Sequence, residues 1–146
     1  MVRVDVKGLN VLLDFILETY SDDELEDRFE YLFIGDEELN TRDLCEYIYR
    51  HLNSKISSLD IYIEKSDVRY SENSDFEITN QALKTMVEKL NKKAETIVGK
   101  NDVEGLFGEL ENKLDVKDVS KFFARQIERM IRTDFEFNNF DIYIDF

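Results

Sequence analysis

Leu39-Asn40-Thr41-Arg42-Asp43-Leu44-Cys45-Glu46-Tyr47-Ile48-Tyr49-Arg50-His51-Leu52 aligns without a gap on Leu114-Asp115-Val116-Lys117-Asp118-Val119-Ser120-Lys121-Phe122-Phe123-Ala124-Arg125-Gln126-Ile127. Leu, Asp and Arg recur identically, and apolar positions mostly meet apolar ones. Upstream, after a small gap, Leu25-Glu26 and Phe29-(x)2-Leu32 lie over Val103-Glu104 and Phe107-(x)2-Leu110. Downstream, Leu59-Asp60-Ile61-Tyr62-Ile63-Glu64 closes the first half much as Phe140-Asp141-Ile142-Tyr143-Ile144-Asp145 closes the second. Self-similarity of this kind marks a repeat, but two copies are too few for a solenoid. The expected object is a single pseudo-twofold domain over residues 1–146, with pseudo-repeats at about 1–65 and 75–146.

Periodicity fills in each repeat. Val2, Val4 and Val6 alternate with Arg3 and Asp5 as in a half-buried strand. Leu9 to Tyr20 reads as a helix burying Leu12, Leu13, Ile16 and Leu17. Ser21 and Glu24 form a capping-box pattern that opens a second helix with Leu25, Phe29, Leu32 and Phe33, ended by Gly35. Thr41 is the expected cap of a third helix carrying Leu44, Ile48 and Leu52. Leu59, Ile61 and Ile63 alternate with Asp60, Tyr62 and Glu64, which predicts a strand with one wet face. Val68 and Tyr70, a turn at Ser71 to Ser74, and Phe76 to Ile78 follow. A long helix from Asn80 or Thr79 is expected to run through Ile97 and Val98 to Gly99. Asn101 with Glu104, and then Asp115, cap two further helices. Phe135 to Phe146 reads as a hairpin around Asn138-Asn139. The fold class is therefore α+β: a duplicated strand, three helices, strand unit, with helices packed on a small, mostly antiparallel sheet.

The 146 residues suffice for one buried core, and no proline and only five glycines leave nothing resembling a linker. A hydrophobic fraction of 42% argues against disorder despite 36% charged residues. The N-terminus lacks the apolar run of a signal peptide, no stretch is apolar enough to span a bilayer, and the single Cys45 cannot form an internal disulfide. These features predict a cytoplasmic protein with no membrane association. A net charge of −14 disfavours direct nucleic-acid binding through a basic face and favours a basic protein as partner.

The charge is unevenly placed. From Glu18 to Glu46 stand twelve acids (Glu18, Asp22, Asp23, Glu24, Glu26, Asp27, Glu30, Asp36, Glu37, Glu38, Asp43, Glu46) and two bases (Arg28, Arg42), a net of −10. The matching stretch Thr96 to Lys121 has six acids and four bases, a net of −2. Helix capping accounts for acids in a first turn, but not for Glu26, Glu30, Asp36, Glu37 and Glu38 together. Asp22, Asp23, Glu26, Asp27, Glu30, Asp36, Glu37 and Glu38 are accordingly the candidate partner-binding residues. A field of this sign speeds encounter with basic surfaces and suits the occlusion of a nucleic-acid site.

Catalytic motifs are weak by comparison. If the two Asp-Ile-Tyr-Ile strands paired, Asp60, Glu64, Asp141 and Asp145 would supply hard oxygen ligands for a divalent cation and make a metal-dependent hydrolase or nuclease the alternative reading. No glycine-rich loop accompanies them to seat a phosphate. Cys45 and His51, six residues apart on one helix, point about 120° away from each other, so no Cys-His pair is expected. Asp36-Glu37-Glu38-Leu39-Asn40 lacks the alternating ligands and central glycine of a calcium loop. The expectation is a non-enzymatic acidic binding or inhibitor protein, of immunity or anti-defence type, that mimics nucleic-acid charge and needs no cofactor. Its partner would be a basic, nucleic-acid-acting enzyme. Self-association, with Lys84, Lys89, Lys92, Lys93 and Lys100 of one copy meeting the acidic face of another, is the remaining alternative.

Overall fold

The computed structural model describes residues 2–28, 39–70, 76–138 and 141–145. Strand β1 (Arg3–Lys7) ends at Gly8, whose φ of 77° lies in the left-handed region that favours glycine and turns the chain into helix α1 (Leu9–Thr19). Helix α2 (Asp22–Arg28), helix α3 (Thr41–Ile56) and strand β2 (Val68–Tyr70) complete the first half. Strand β3 (Phe76–Ile78), helix α4 (Asn80–Lys93), helix α5 (Ile97–Phe107), helix α6 (Val116–Asp134) and strand β4 (Asp141–Asp145) follow. The molecule is α+β, with six helices and an antiparallel sheet of order β2-β3-β1-β4 among the described residues.

That order reads the same when the halves are exchanged. β1 and β3 pair at the centre, with Val4 opposite Ile78 and Val6 opposite Phe76. Each carries an outer strand: β4 lies on β1 and β2 on β3. The alternation of β1 buries Val4 and Val6 toward the helices, together with Phe76, Ile78 and Val68. Arg3, Lys7 and Arg69 remain exposed, and Asp5, only 8% exposed, is ion-paired to Arg3 at 3.2 Å.

α3 and α6 pack against each other and against the sheet, and they begin alike. Asn40 accepts from the Asp43 amide at 3.1 Å while Asp43 accepts from the Asn40 amide at 2.9 Å. Asp115 and Asp118 make the same reciprocal pair at 2.9 and 3.0 Å, each pair satisfying two amides the helix leaves orphaned. The amide hydrogen bond Asp115 accepts from Asp118 holds its carboxyl below the usual carboxylate range. Leu44, Cys45, Ile48, Leu52 and Ile56 are buried on α3, and Val119, Ser120, Phe123, Ile127 and Ile131 on α6. All of these but Ser120 join one apolar core with side chains from both halves. Burial of each large side chain contributes about 1.5–3 kcal/mol relative to exposure. The Tyr20 hydroxyl, donating to the Phe135 carbonyl at 3.1 Å, ties the end of α1 to the end of α6.

Several expectations are corrected. Leu59 to Glu64 is not a strand: Ser57–Leu59 is a 3-10 turn, Asp60 is left-handed with φ 56°, and a second 3-10 turn begins at Lys65. The first half's outer strand is β2. The strand at the opposite edge of the sheet is β4. Asn40, not Thr41, caps α3. Leu17, at 50% exposed, lies off the buried side of α1. The helix from Asn80 stops at Lys93, because the Thr96 side chain accepts from the Gly99 amide at 3.0 Å and starts α5 there. Ile97 and Val98 are exposed, Asn101 and Glu104 lie within α5, and Gly99 is needed because a side chain would meet the Lys93 carbonyl. Phe135 caps α6 and β4 pairs with β1, so among the described residues β4 has no hairpin partner in Phe135 to Asn138, and the expected turn residue Asn139 lies outside them. Phe29 to Gly35 and the turn at Ser71 to Ser74 lie outside the described residues. Among the described residues no helix is long and apolar enough to cross a membrane.

Candidate functional site

α2 is short and its composition leaves little choice of orientation. Among the α2 side chains described, from Asp22 to Asp27, Leu25, 2% exposed, is the one that is buried, and Asp22, Asp23, Glu24, Glu26 and Asp27 stand outward in solvent. Glu24 is occupied as a cap: its amide donates to Ser21 Oγ at 3.3 Å and its carboxylate accepts from the Ser21 amide at 3.4 Å. Asp22 and Asp23 face the positive end of the helix dipole. No ion pair among the described residues takes in a carboxylate of α2. Four of the eight candidate partner-binding residues, Asp22, Asp23, Glu26 and Asp27, thus share one exposed ridge. Glu30, Asp36, Glu37 and Glu38 lie outside the described residues. Solvated carboxylates on one ridge attract cations and basic side chains and do no bond chemistry by themselves.

The carboxylates proposed for a metal are dispersed by the sheet order. Asp60 and Glu64 sit in the irregular segment after α3, outside the sheet. Asp141 and Asp145 lie on β4, in register with Lys7 and Arg3 of β1 rather than with any residue of 59–64. Among the described residues no group of three or more His, Cys, Asp or Glu side chains converges as metal ligands.

Two clefts were not located from the sequence. On α3, Tyr47, Arg50, His51 and Ser54 recur at helical spacing and line a cleft of about 390 Å³. The Tyr47 hydroxyl donates to Asp134 Oδ2 at 2.6 Å, and burial, followed by that hydrogen bond and the Asp134 charge, raises its pKa well above the usual phenol value. Tyr47 therefore holds its proton and acts as a donor. Burial, and then Lys55, lower the His51 pKa against the opposing pull of Asp134, which keeps the imidazole neutral near pH 7. Cys45 is buried in the core. The i, i+3 and i, i+4 spacing of Tyr47, Arg50, His51 and Ser54 is a signal that could have located the α3 stripe, but Asp134 arrives from 87 positions away and carries no local signal.

The second cleft, about 360 Å³, lies between the segment Leu59 to Glu64 and the end of α4. Asp60, Tyr62, Glu64, Lys89, Lys92 and Lys93 line it. Its wall is held firmly. Asn53 clamps Ile63 in both directions, accepting from its amide at 2.7 Å and donating to its carbonyl at 3.1 Å. Tyr49 donates to the same carbonyl at 2.8 Å, and Lys93 Nζ to the Leu59 carbonyl at 2.5 Å. No protein-family model, curated protein or solved structure matches the chain.

Proposed function

We propose that the chain is a small acidic binding protein that docks a basic protein partner through α2 and the acidic residues following it in sequence. The observation that carries this is the outward set Asp22, Asp23, Glu26 and Asp27, anchored by Leu25 and unpaired with any base among the described residues. Carboxylates left solvated on a folded element are available to a partner's lysines and arginines, whereas those already paired internally are not. A nucleic-acid-acting enzyme is the class of partner such a surface suits, since its substrate channel is positively charged. In this reading the protein works in the cytoplasm as an inhibitor or antitoxin mimicking nucleic-acid charge, and is not an enzyme.

The same reading takes the two halves as copies of one unit whose shared part is scaffold. The matched caps and burial of α3 and α6, and a sheet order unchanged by exchanging the halves, support it. Function then belongs to what only one copy carries.

The test is capture of partners from host lysate at low and high salt, identification by mass spectrometry, and charge reversal at Asp22, Asp23, Glu26 and Asp27. Loss of these charges should slow association with the captured partner about 10- to 1000-fold at low salt. Unchanged capture after reversal would remove the proposal.

A further inference from the structure

The cleft beside α4 has the properties of a preorganised docking surface. Ile61 and Ile63 are buried, so the clamped segment presents Tyr62, 48% exposed, as a fixed aromatic anchor that loses little freedom on binding. Opposite it, Lys89 and Lys93 are one turn apart on α4, with Lys92 between them. Asp60 and Glu64 stand on the cleft's other wall and form no ion pair with these lysines among the described residues. Lys89 and Lys92 are thus without an internal ion pair among the described residues, while Lys93 donates to the Leu59 carbonyl.

The chain itself supplies an element of opposite charge. On α2, Asp22 with Glu26 and Asp23 with Asp27 repeat at the same i, i+4 spacing as Lys89 with Lys93, so the two helices carry charge ladders of equal pitch and opposite sign. We infer that the cleft formed by Tyr62, Lys89, Lys92 and Lys93 is a docking site for the α2 helix of a second copy of this chain. The contact is heterologous, joining two different surfaces, so it closes into a reciprocal dimer or ring, or extends as a chain. It rests on the reading of α2 as a docking helix, and it adds a competitor for that helix: a copy engaged in self-association has its carboxylates covered.

Salt gives this contact a signature of its own. Two bodies of charge −14 repel one another over the Debye length, about 30 Å at 0.01 M and about 10 Å at 0.1 M ionic strength. At 1 M, where that length is about 3 Å, the ladders themselves are screened. Self-association should pass through a maximum at intermediate salt, whereas capture of a basic partner should strengthen steadily as salt is lowered.

Sedimentation velocity of the full chain across concentration at these three salt levels tests the inference. Lys89→Glu with Lys92→Glu, which spares the Lys93 bond to the Leu59 carbonyl, should abolish self-association, as should Glu26→Lys with Asp27→Lys. Mixing the two variants should restore it, because each then offers the other a complementary surface, and Tyr62→Ala should weaken it about tenfold or more. These exposed positions carry little core packing, and circular dichroism of each variant checks that it is folded. A wild-type chain monomeric at every concentration and salt, self-association surviving either reversal, or a mixture that stays monomeric would overturn the inference. The α4 reversal leaves α2 untouched, so its effect is separable from partner capture.

Discussion

α3 and α6 are interchangeable in most of what they do, while α2 and α5 are not. Each of the first pair starts after a buried leucine, Leu39 or Leu114, opens with a reciprocal cap, and buries side chains at matching positions down to Ile56 and Ile131. α2 buries Leu25 beneath a ridge of carboxylates. α5 buries Val103 and Gly99 and exposes Ile97 and Val98 with charges of both signs. The connections differ as well, since the segment after α3 detours through two 3-10 turns and presents Tyr62 before reaching β2. Positions that hold the sheet and the helix pair tolerate little variation, because each must fill a fixed volume. Positions facing water carry no such constraint, and the binding role proposed for α2 rests on residues of that kind.

The most forceful way to break the comparison is to empty its core. Ile48→Ala and Phe123→Ala remove matched side chains, each 1% exposed, and should destabilise the protein by about 2–5 kcal/mol each in denaturant unfolding. A loss below about 1 kcal/mol in one half only would show that the halves do not share the core equally. Smaller effects follow from the caps. Asn40→Ala and Asp115→Ala should each cost about 1 kcal/mol, and the two costs should agree to within about 0.5 kcal/mol.

Titration sharpens the comparison in the first half alone. Tyr70, whose hydroxyl donates to Glu46 at 3.2 Å, has its pKa raised by burial and then by the Glu46 charge. The unfolded phenol ionises from about pH 10 while the folded one keeps its proton, so this contribution to stability is present below that pH and lost as pH rises above it. Tyr70→Phe should make that alkaline limb shallower and leave the part that Tyr47 contributes. His51 behaves in the opposite sense: with its pKa lowered, its contribution is present above about pH 6.5 and is lost as pH falls. Equilibrium unfolding across pH reads both limbs. An effect of the same order as a lost cap is expected from a circular permutant that opens the chain between β2 and β3 and links Asp145 through a short loop to Arg3, its partner across the sheet. It should unfold cooperatively, with stability changed by no more than about 1–2 kcal/mol.

Local signals made α3, α6 and the Asp115 cap legible, because an acid at the cap and a four-residue apolar spacing act within a few residues, whereas the cap of α3 is expected one residue late, at Thr41 instead of Asn40. The segment after α3 shows where such signals stop. Ile61 and Ile63 are buried and Asp60, Tyr62 and Glu64 exposed, as their alternation predicted. The backbone of Ile63, however, is held by the side chains of Asn53 and Tyr49 rather than by a neighbouring strand, and alternation records burial without recording what a backbone pairs with. The apolar run through Ile97 and Val98 misled in a similar way, since Thr96 offers the chain a new helix start that outweighs the stripe. For the candidate site, the excess of acids was visible in composition. The clefts were not, because Tyr47 meets Asp134 and Leu59 meets Lys93 only through the tertiary fold.

The central claim is that location, and not net charge, gives the acidic half its role. It is tested most directly by measuring capture of a basic partner by two variants of equal charge. One carries lysine at Asp22, Asp23, Glu26 and Asp27, the other at the exposed second-half residues Glu95, Asp102, Glu109 and Glu111. The first variant should lose the partner and the second should retain it with near wild-type affinity; equal loss in both would refute a docking role for α2.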